Sequence, residues 1–191
     1  KKFHYNDIQS LKKQIKKYKN KIACVILEPS STECPKIDGK NYSLCCGKSK
    51  CDRNFKKEKH FLKEVELICK KNNIVFILDE MITGFRWHLK GAQYFYGVKP
   101  DLSTFGKAMA NGFSVAAICG KKKIMELGSI TNKEERVFLL STTHGAEMNG
   151  LSAFVETIKI LKKKKVIEHN WRYGEKLISE ANKIAKKLEI S

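Results

Sequence analysis

Apolar positions along the chain follow two periods. Ile8, Leu11, Ile15 and Tyr18 recur at helical spacing with lysines between them, which predicts an amphipathic first helix. Asn6 followed by Gln9 reads as its capping box. Two short continuous runs behave differently. Ile22–Leu27 ends in Glu28 and is stopped by Pro29, and Ile74–Leu78 ends in Asp79-Glu80. Both runs are short and rich in β-branched residues, so each is expected to be a strand buried on both faces. Between them Phe61, Leu62, Val65, Ile68 and Cys69 form a second helical stripe, closed by Asn72-Asn73. Helix, strand, helix, strand predicts an α/β fold with a mostly parallel sheet and flanking helices.

The second half continues the pattern. Gly97-Val98-Lys99-Pro100-Asp101 is a turn, and Leu102–Gly106 is a short strand that closes at Lys107. Val115–Cys119 is a further strand ended by Gly120, and Lys121–Glu126 starts a helix. After Phe138-Leu139-Leu140 comes Ser141-Thr142-Thr143-His144-Gly145, ahead of a long helix. Hydroxyls before a helix start can bind an anion or cap the helix, and local grounds leave both open. In that helix Met148, Leu151, Val155, Ile158 and Leu161 are expected to face inward. Trp171, Leu177, Ile178, Ile184 and Leu188 mark a last helix. No internal repeat is present.

Composition narrows the class. A chain of 191 residues with 42% hydrophobic content is large enough for a real core. No apolar run is long enough for a membrane span, and Lys1–Tyr5 lacks the apolar region of a signal peptide. The first residue is not Met, so a piece of a longer chain is expected. The formal charge is +18, from 38 basic and 20 acidic residues. Such a charge suits an anionic partner. Arginine, the better reader of bases and phosphates, is confined to Arg53, Arg86, Arg136 and Arg172, while lysines spread along the whole chain. That distribution argues for solvated helix faces rather than a nucleic-acid interface.

Seven cysteines are present. Cys24, Cys69 and Cys119 lie in apolar segments and read as small buried hydrophobes, which favours a reducing, cytoplasmic setting. Cys34, Cys45, Cys46 and Cys51 crowd into a polar loop over residues 30–57. Zinc sites usually use paired Cys-x2-4-Cys turns. The spacing here is Cys-x10-Cys-Cys-x4-Cys. No metal site is therefore expected, and the loop is read as free thiols that could form a disulfide on oxidation.

The candidate chemistry sits at the strand ends. If the strands ending at Asp79 and Lys107 are parallel neighbours, acid and amine emerge at one sheet edge, where α/β folds bind ligands. The pair could be a structural ion pair. It could also serve pyridoxal phosphate, which needs an amine for its aldehyde, a carboxylate for its ring nitrogen and donors for its phosphate. Asp79, Lys107 and the hydroxyls of residues 141–143 are the three types required.

Leu78-Asp79-Glu80-Met81-Ile82-Thr83-Gly84-Phe85-Arg86 resembles the Asp-Glu-Val-x-Thr-Gly-Phe-Arg signature of class III aminotransferases, the group that includes glutamate-1-semialdehyde 2,1-aminomutase. The match continues in Gly91-Ala92-Gln93, in Tyr96–Leu102 and in Gly106-Lys107, and the 28-residue spacing from Asp79 to Lys107 is that of the family. Ile22–Pro29 is similar to the family's strand ending in Glu-Pro. The resemblance implies the large domain of a fold type I pyridoxal-phosphate-dependent transferase. Residues 1–160 would belong to that domain, with the 30–57 loop as an insertion, and 161–191 would lead toward a small C-terminal domain. The family's N-terminal Gly/Ser/Thr phosphate loop and that small domain are not in the sequence.

The resemblance also implies roles. Lys107 would hold the cofactor as an internal aldimine and then shuttle a proton. Asp79 would pair with the pyridine nitrogen, and Met81, where the family has Val, would pack on the ring. Thr143 would bind the phosphate of a neighbouring subunit in a homodimer, with Thr142 as the fallback. Glu28 would lie on the substrate side. The partners implied are a small-molecule amino donor and a carbonyl acceptor. The region around His144-Gly145-Ala146-Glu147 departs from the aminomutase pattern and favours an aminotransferase. The aminomutase and a non-catalytic basic binding module are the alternatives.

Overall fold

The computed structural model describes residues 1–30, 33–37, 55–135 and 147–190. The elements are helix α1 (Ile8–Lys17), strand β1 (Cys24–Leu27), α2 (Phe61–Lys71), β2 (Val75–Asp79), α3 (Gly91–Tyr96), β3 (Leu102–Phe105), β4 (Ala117–Gly120), α4 (Lys122–Met125), α5 (Met148–Lys164) and α6 (Val166–Lys187). The four strands form one sheet in the order β1-β2-β3-β4. The first three run parallel, and β4 is antiparallel to β3. The expected α/β class is therefore what the chain adopts.

Helix α1 starts one residue later than the capping-box reading. Asp7 is the N-cap, and its carboxylate accepts from the Ser10 N–H at 2.9 Å. Asn6 sits at φ 61° and uses its side chain elsewhere, donating to the Cys34 carbonyl at 2.9 Å and accepting from the Lys36 N–H at 2.8 Å. It thus ties the N-terminus to the far side of the β1 connection.

The core lies on one face of the sheet. Val25, Phe76 and Leu78 point into it, against Leu11 of α1, Phe61, Leu62, Val65 and Cys69 of α2, and Ala92 and Tyr96 of α3. Each such fully buried side chain contributes about 1.5–3 kcal/mol. Burial pushes the Cys69 thiol up to about 12, which leaves it an inert apolar filler. The expectation of strands buried on both faces is corrected. In β2 burial alternates, with Phe76 and Leu78 buried while Val75, Ile77 and Asp79 are half-buried. On the second face Ile26 and Ile118 are more than half exposed, at 54% and 55%. Cys24 is exposed there too, and Cys119 is exposed on the other face of β4, so of the three cysteines read as buried only Cys69 is. An apolar run reveals that both faces of a strand are greasy, but not whether described residues cover both.

The same correction applies to α5, whose apolar stripe was expected to face inward. The helices form, but Met148, Leu151 and Val155 are exposed, and Ile158 and Leu161 are only half-buried. Leu177, Ile178, Ile184 and Leu188 are exposed as well. Cys34 is disulfide-bonded, which overturns the free-thiol expectation at that position. Cys45, Cys46 and Cys51 lie outside the described residues. Among the described residues no group of three or more His, Cys, Asp or Glu is placed to hold a metal, and no helix is long and apolar enough to cross a membrane.

Asp101 locks the sheet at the N-terminal end of β3. Its Oδ2 accepts from the Phe76 N–H at 2.7 Å, and its own N–H donates to the Phe76 carbonyl at 2.8 Å. Its carbonyl accepts from the Lys121 N–H at 2.9 Å, and its Oδ1 pairs with Lys121 Nζ at 2.5 Å. One residue thus joins β2, β3 and the exit of β4. Gly120 permits this, because a Cβ there would lie 2.4 Å from the Asp101 carbonyl oxygen.

His60, the N-cap of α2, is 1% exposed; its Nε2 bonds the Tyr96 carbonyl at 2.8 Å, while Nδ1 is buried without a hydrogen-bond partner among the described residues. Desolvation lowers its pKa. The unfolded chain then binds a proton more readily than the folded one below the ordinary histidine value, so stability falls with pH through about 6.5. The urea midpoint is expected to drop between about pH 7.5 and pH 5.5, and this slope is expected to shrink in His60→Gln, whose amide can still donate to Tyr96.

Candidate active site

Three strand ends meet at the C-terminal edge of the sheet. Leu27 pairs with Leu78, so Glu28 and Asp79 both follow directly from paired residues. Asp79 itself pairs with Thr104 of β3. Three residues beyond Thr104 the chain reaches Lys107. The expected parallel arrangement therefore holds, and acid and amine leave adjacent strands at one edge.

Asp79 is held rather than loose. Its Oδ1 accepts from the Thr104 hydroxyl at 2.8 Å and from the Met81 N–H at 3.1 Å. Its Oδ2 has no hydrogen-bond partner among the described residues, and no salt bridge joins Asp79 to Lys107. The simple ion-pair alternative is thus not what the geometry shows. An oriented, half-buried carboxylate with one oxygen available suits a cationic ring N–H. An exposed primary amine at Lys107, on the neighbouring strand's exit, suits an aldehyde. These two groups, one acceptor and one amine, fit pyridoxal phosphate. The phosphate contacts expected of Thr142 and Thr143 lie outside the described residues.

Lys107 occupies an unusual backbone position. It begins a single 3-10 turn, Lys107–Met109, with φ at 44°. A non-glycine residue there costs on the order of 1 kcal/mol. Phe85 and Asn111, at φ 60° and 47°, line the same cleft as Lys107. This cleft of about 820 Å³ runs between the β2 and β3 exits and helices α5 and α6, with Trp87, Ile160, Ile167 and Trp171 among its walls. Asp79 does not line it. Strained backbone gathered around one exposed amine in a cleft is a pattern found at functional sites.

Met81 lies against the backbone that delivers Lys107. A Cβ on Gly106 would come 2.4 Å from the Met81 methyl carbon, so the glycine lets the thioether pack onto the strand end. Met81 is half-buried. Glu28 is at the expected edge but turns toward the N-terminal segment. Its Oε2 is buried without a hydrogen-bond partner among the described residues. Beside it, the Tyr5 hydroxyl donates to the Pro29 carbonyl at 2.6 Å. Burial, helped by the proximity of Tyr96, Glu33 and Glu28, raises the Tyr5 phenol far above its usual range.

Sequence reasoning missed two supports. Thr104, which orients Asp79, is legible only once the β2–β3 register is known. Glu80 is the other. It is fully buried, and its Oε2 accepts from the Thr83 hydroxyl at 3.2 Å and from the Ala92 N–H. Its Oε1 accepts from the Gln93 N–H at 3.0 Å. Glu80 therefore caps α3 across eleven intervening residues. Burial raises its pKa, and those hydrogen bonds pull the other way. Gly91, at φ +78°, makes room, since a Cβ would sit 2.5 Å from Glu80 Oε1. A carboxylate preceding a Gly-Ala helix start was the available signal.

A family model, aminotransferase class-III, matches residues 54–191. The chain belongs to the class III aminotransferase family. Its similarity to curated members extends across most of its own length. It is 32% identical to 3-aminobutyryl-CoA aminotransferase of Cloacimonas acidaminovorans, over 98% of this chain and 40% of the relative. It is 40% identical to glutamate-1-semialdehyde 2,1-aminomutase of Nitrosopumilus maritimus, over 84% of this chain and 32% of the relative. The chain thus spans about a third to two fifths of these class III relatives. Among solved structures, a Virgibacillus transaminase aligns with TM-score 0.68 at 21% identity, over 96% of this chain and 39% of that one. An ornithine aminotransferase from Plasmodium yoelii aligns with TM-score 0.67 at 24% identity, over 95% of this chain and 42% of that one. These structures share the fold.

Two glycine substitutions separate support from packing. Gly91→Ala meets both a left-handed backbone and the fixed Glu80 carboxylate, and is expected to cost about 1–3 kcal/mol in urea unfolding. Gly106→Ala meets only the end of a flexible thioether, so it is expected to cost less, and Met81→Val is expected to recover most of that loss.

Proposed function

We propose that the chain forms the cofactor-binding large domain of a pyridoxal-phosphate-dependent aminotransferase, with residues 161–191 leading toward a small domain. The observation that carries the reading is the Asp79–Thr104–Lys107 arrangement at the C-terminal sheet edge, in a chain of the class III family. The cofactor supplies an electron sink for a carbanion at the amino-bearing carbon. The chain's residues supply the rest. Lys107 Nζ would hold the cofactor through its aldehyde and would serve as the base that moves the proton at the substrate Cα. Asp79 Oδ2 would accept the ring N–H and keep that proton in place, while Thr104 and the Met81 amide fix the carboxylate's orientation. Met81 would pack on the ring, and Thr143, or Thr142, would donate to the phosphate; Glu28, turned toward Tyr5 and the N-terminal segment, is given no part in it.

A homodimer fits the uncovered apolar residues of α5 and α6, which a second copy would bury. Amino donor and carbonyl acceptor are small molecules, and the protein works in the cytoplasm. The second reading is the aminomutase, favoured by the 40% identity to the Nitrosopumilus maritimus protein. Turnover of glutamate-1-semialdehyde with no external amino donor would select it. A non-catalytic basic module predicts instead steep salt-dependent nucleic-acid binding and no cofactor uptake.

The direct test uses the full-length protein loaded with pyridoxal phosphate and reduced with borohydride. Peptide mass mapping is expected to find a pyridoxyl group on Lys107, and Lys107→Ala is expected to lose both the adduct and at least about 10³-fold of the activity. An adduct of equal yield on another lysine would refute the assignment.

A further inference from the structure

The chain contains two tryptophans, and both border the Lys107 cleft. We propose that Trp171 is a positioning residue for Lys107: its indole ties α6 to the turn after β2, and through that turn fixes the strand end bearing the amine. The inference rests on the functional reading of Lys107 given above.

The link can be followed atom by atom. Trp171 lies one turn beyond Ile167, the buried anchor of α6. Its Nε1–H donates to the Arg86 carbonyl at 2.9 Å, across 85 residues of sequence. Its ring packs on Trp87 with centroids 4.5 Å apart and planes at 43°. The turn it grips is a compact coil. Gly84 donates to the Glu80 carbonyl at 2.8 Å, and the Arg86 and Trp87 N–H groups both reach the Thr83 carbonyl at 3.1 and 3.0 Å. Buried Glu80 and Thr83 anchor its base. Phe85, forced to φ 60°, turns its ring onto Phe105 at 5.7 Å and onto Phe154 of α5 at 6.1 Å.

Phe105 is the last residue of β3, two before Lys107. Gly84 also abuts it, since a Cβ there would come 2.7 Å from the Phe105 ring. The path is therefore contiguous: Trp171, the Arg86 carbonyl, the Phe85 turn, Phe105, then Gly106-Lys107. Each joint is a packed ring or a hydrogen bond. A helix otherwise poor in buried residues is tied over the cleft by this hydrogen bond and its ring pair. A shift of the turn would move Phe105, and small displacements of a reacting group are costly in rate.

The test reads Lys107 without cofactor as well as with it. The full-length apoprotein is acetylated competitively, and peptide mapping gives the rate at Lys107 relative to exposed Lys12 and Lys13 on α1. Trp171→Phe keeps a ring against Trp87 and deletes the donor. Trp87→Phe keeps the donor and alters the ring pair. Trp171→Phe is expected to change the Lys107 ratio by at least about threefold, and to lower kcat about tenfold with KM within about twofold. Trp171→His, which restores a ring N–H, is expected to bring the ratio back toward wild type, and Trp87→Phe to leave it near wild type.

An unchanged ratio in Trp171→Phe would overturn the proposal. So would an equal effect from Trp87→Phe, which would make packing rather than the hydrogen bond responsible. Loss of folding in Trp171→Phe would also overturn it, because the role would then be structural. If Lys107 takes up no pyridoxal phosphate, the functional reading fails, while the apoprotein ratio still decides the positioning claim.

Discussion

The register between β2 and β3 is the constraint on which the remaining structure depends. It is fixed by side chains at both ends. Asp101 clamps the Phe76 backbone at the entry of the pair, and the Thr104 hydroxyl holds Asp79 at the exit. A slip of one residue would exchange the two faces of β2. Phe76 and Leu78 would leave the core, and Asp79 would enter it beneath α2. The same slip would carry Lys107 out of line with the acid. The core and the proposed site are thus two consequences of one pairing.

Neighbouring carboxylates on that strand show how the faces divide labour. Asp79 and Glu80 are adjacent in sequence and opposite in circumstance. Glu80 is sealed, satisfied by Thr83 and by the first amides of α3, and spends its hydrogen-bonding capacity on the fold. Asp79 stays half-buried with one oxygen engaged and the other available. Glycines at 91 and 106 then set how closely a helix start and a thioether approach the strand. The strained turns at Phe85 and Lys107 sit where the fold is otherwise best anchored, as strain must if it is to persist.

Much of this was legible in the residues. The α/β class, the parallel strands ending at Asp79 and Lys107, and the family itself follow from short apolar runs and from the order and spacing of motifs. What was not legible has a physical reason in each case. Ile26, Ile118 and the apolar residues of α5 and α6 look like core because their chemistry is that of core, yet burial depends on what else packs there. The capping of α1 turned on whether Asn6 or Asp7 adopted the extended N-cap conformation, and Asn6 was drawn away by Cys34 and Lys36. Thr104, Glu80 and Trp171 act through partners 12 to 85 residues away. No local pattern announces contacts of that range. For the phosphate hydroxyls at 142 and 143, the sequence reading stands by itself.

The central claim is that Asp79 and Lys107 address one cofactor from neighbouring strands. A crystal structure of the full-length protein with pyridoxal phosphate tests it most directly. The account predicts the ring nitrogen within hydrogen-bond reach of Asp79 Oδ2, at roughly 2.6–3.2 Å, and the aldehyde carbon bonded to Lys107 Nζ. A cofactor bonded to another lysine, or a ring nitrogen facing away while Asp79 bonds only Thr104 and Met81, would contradict it.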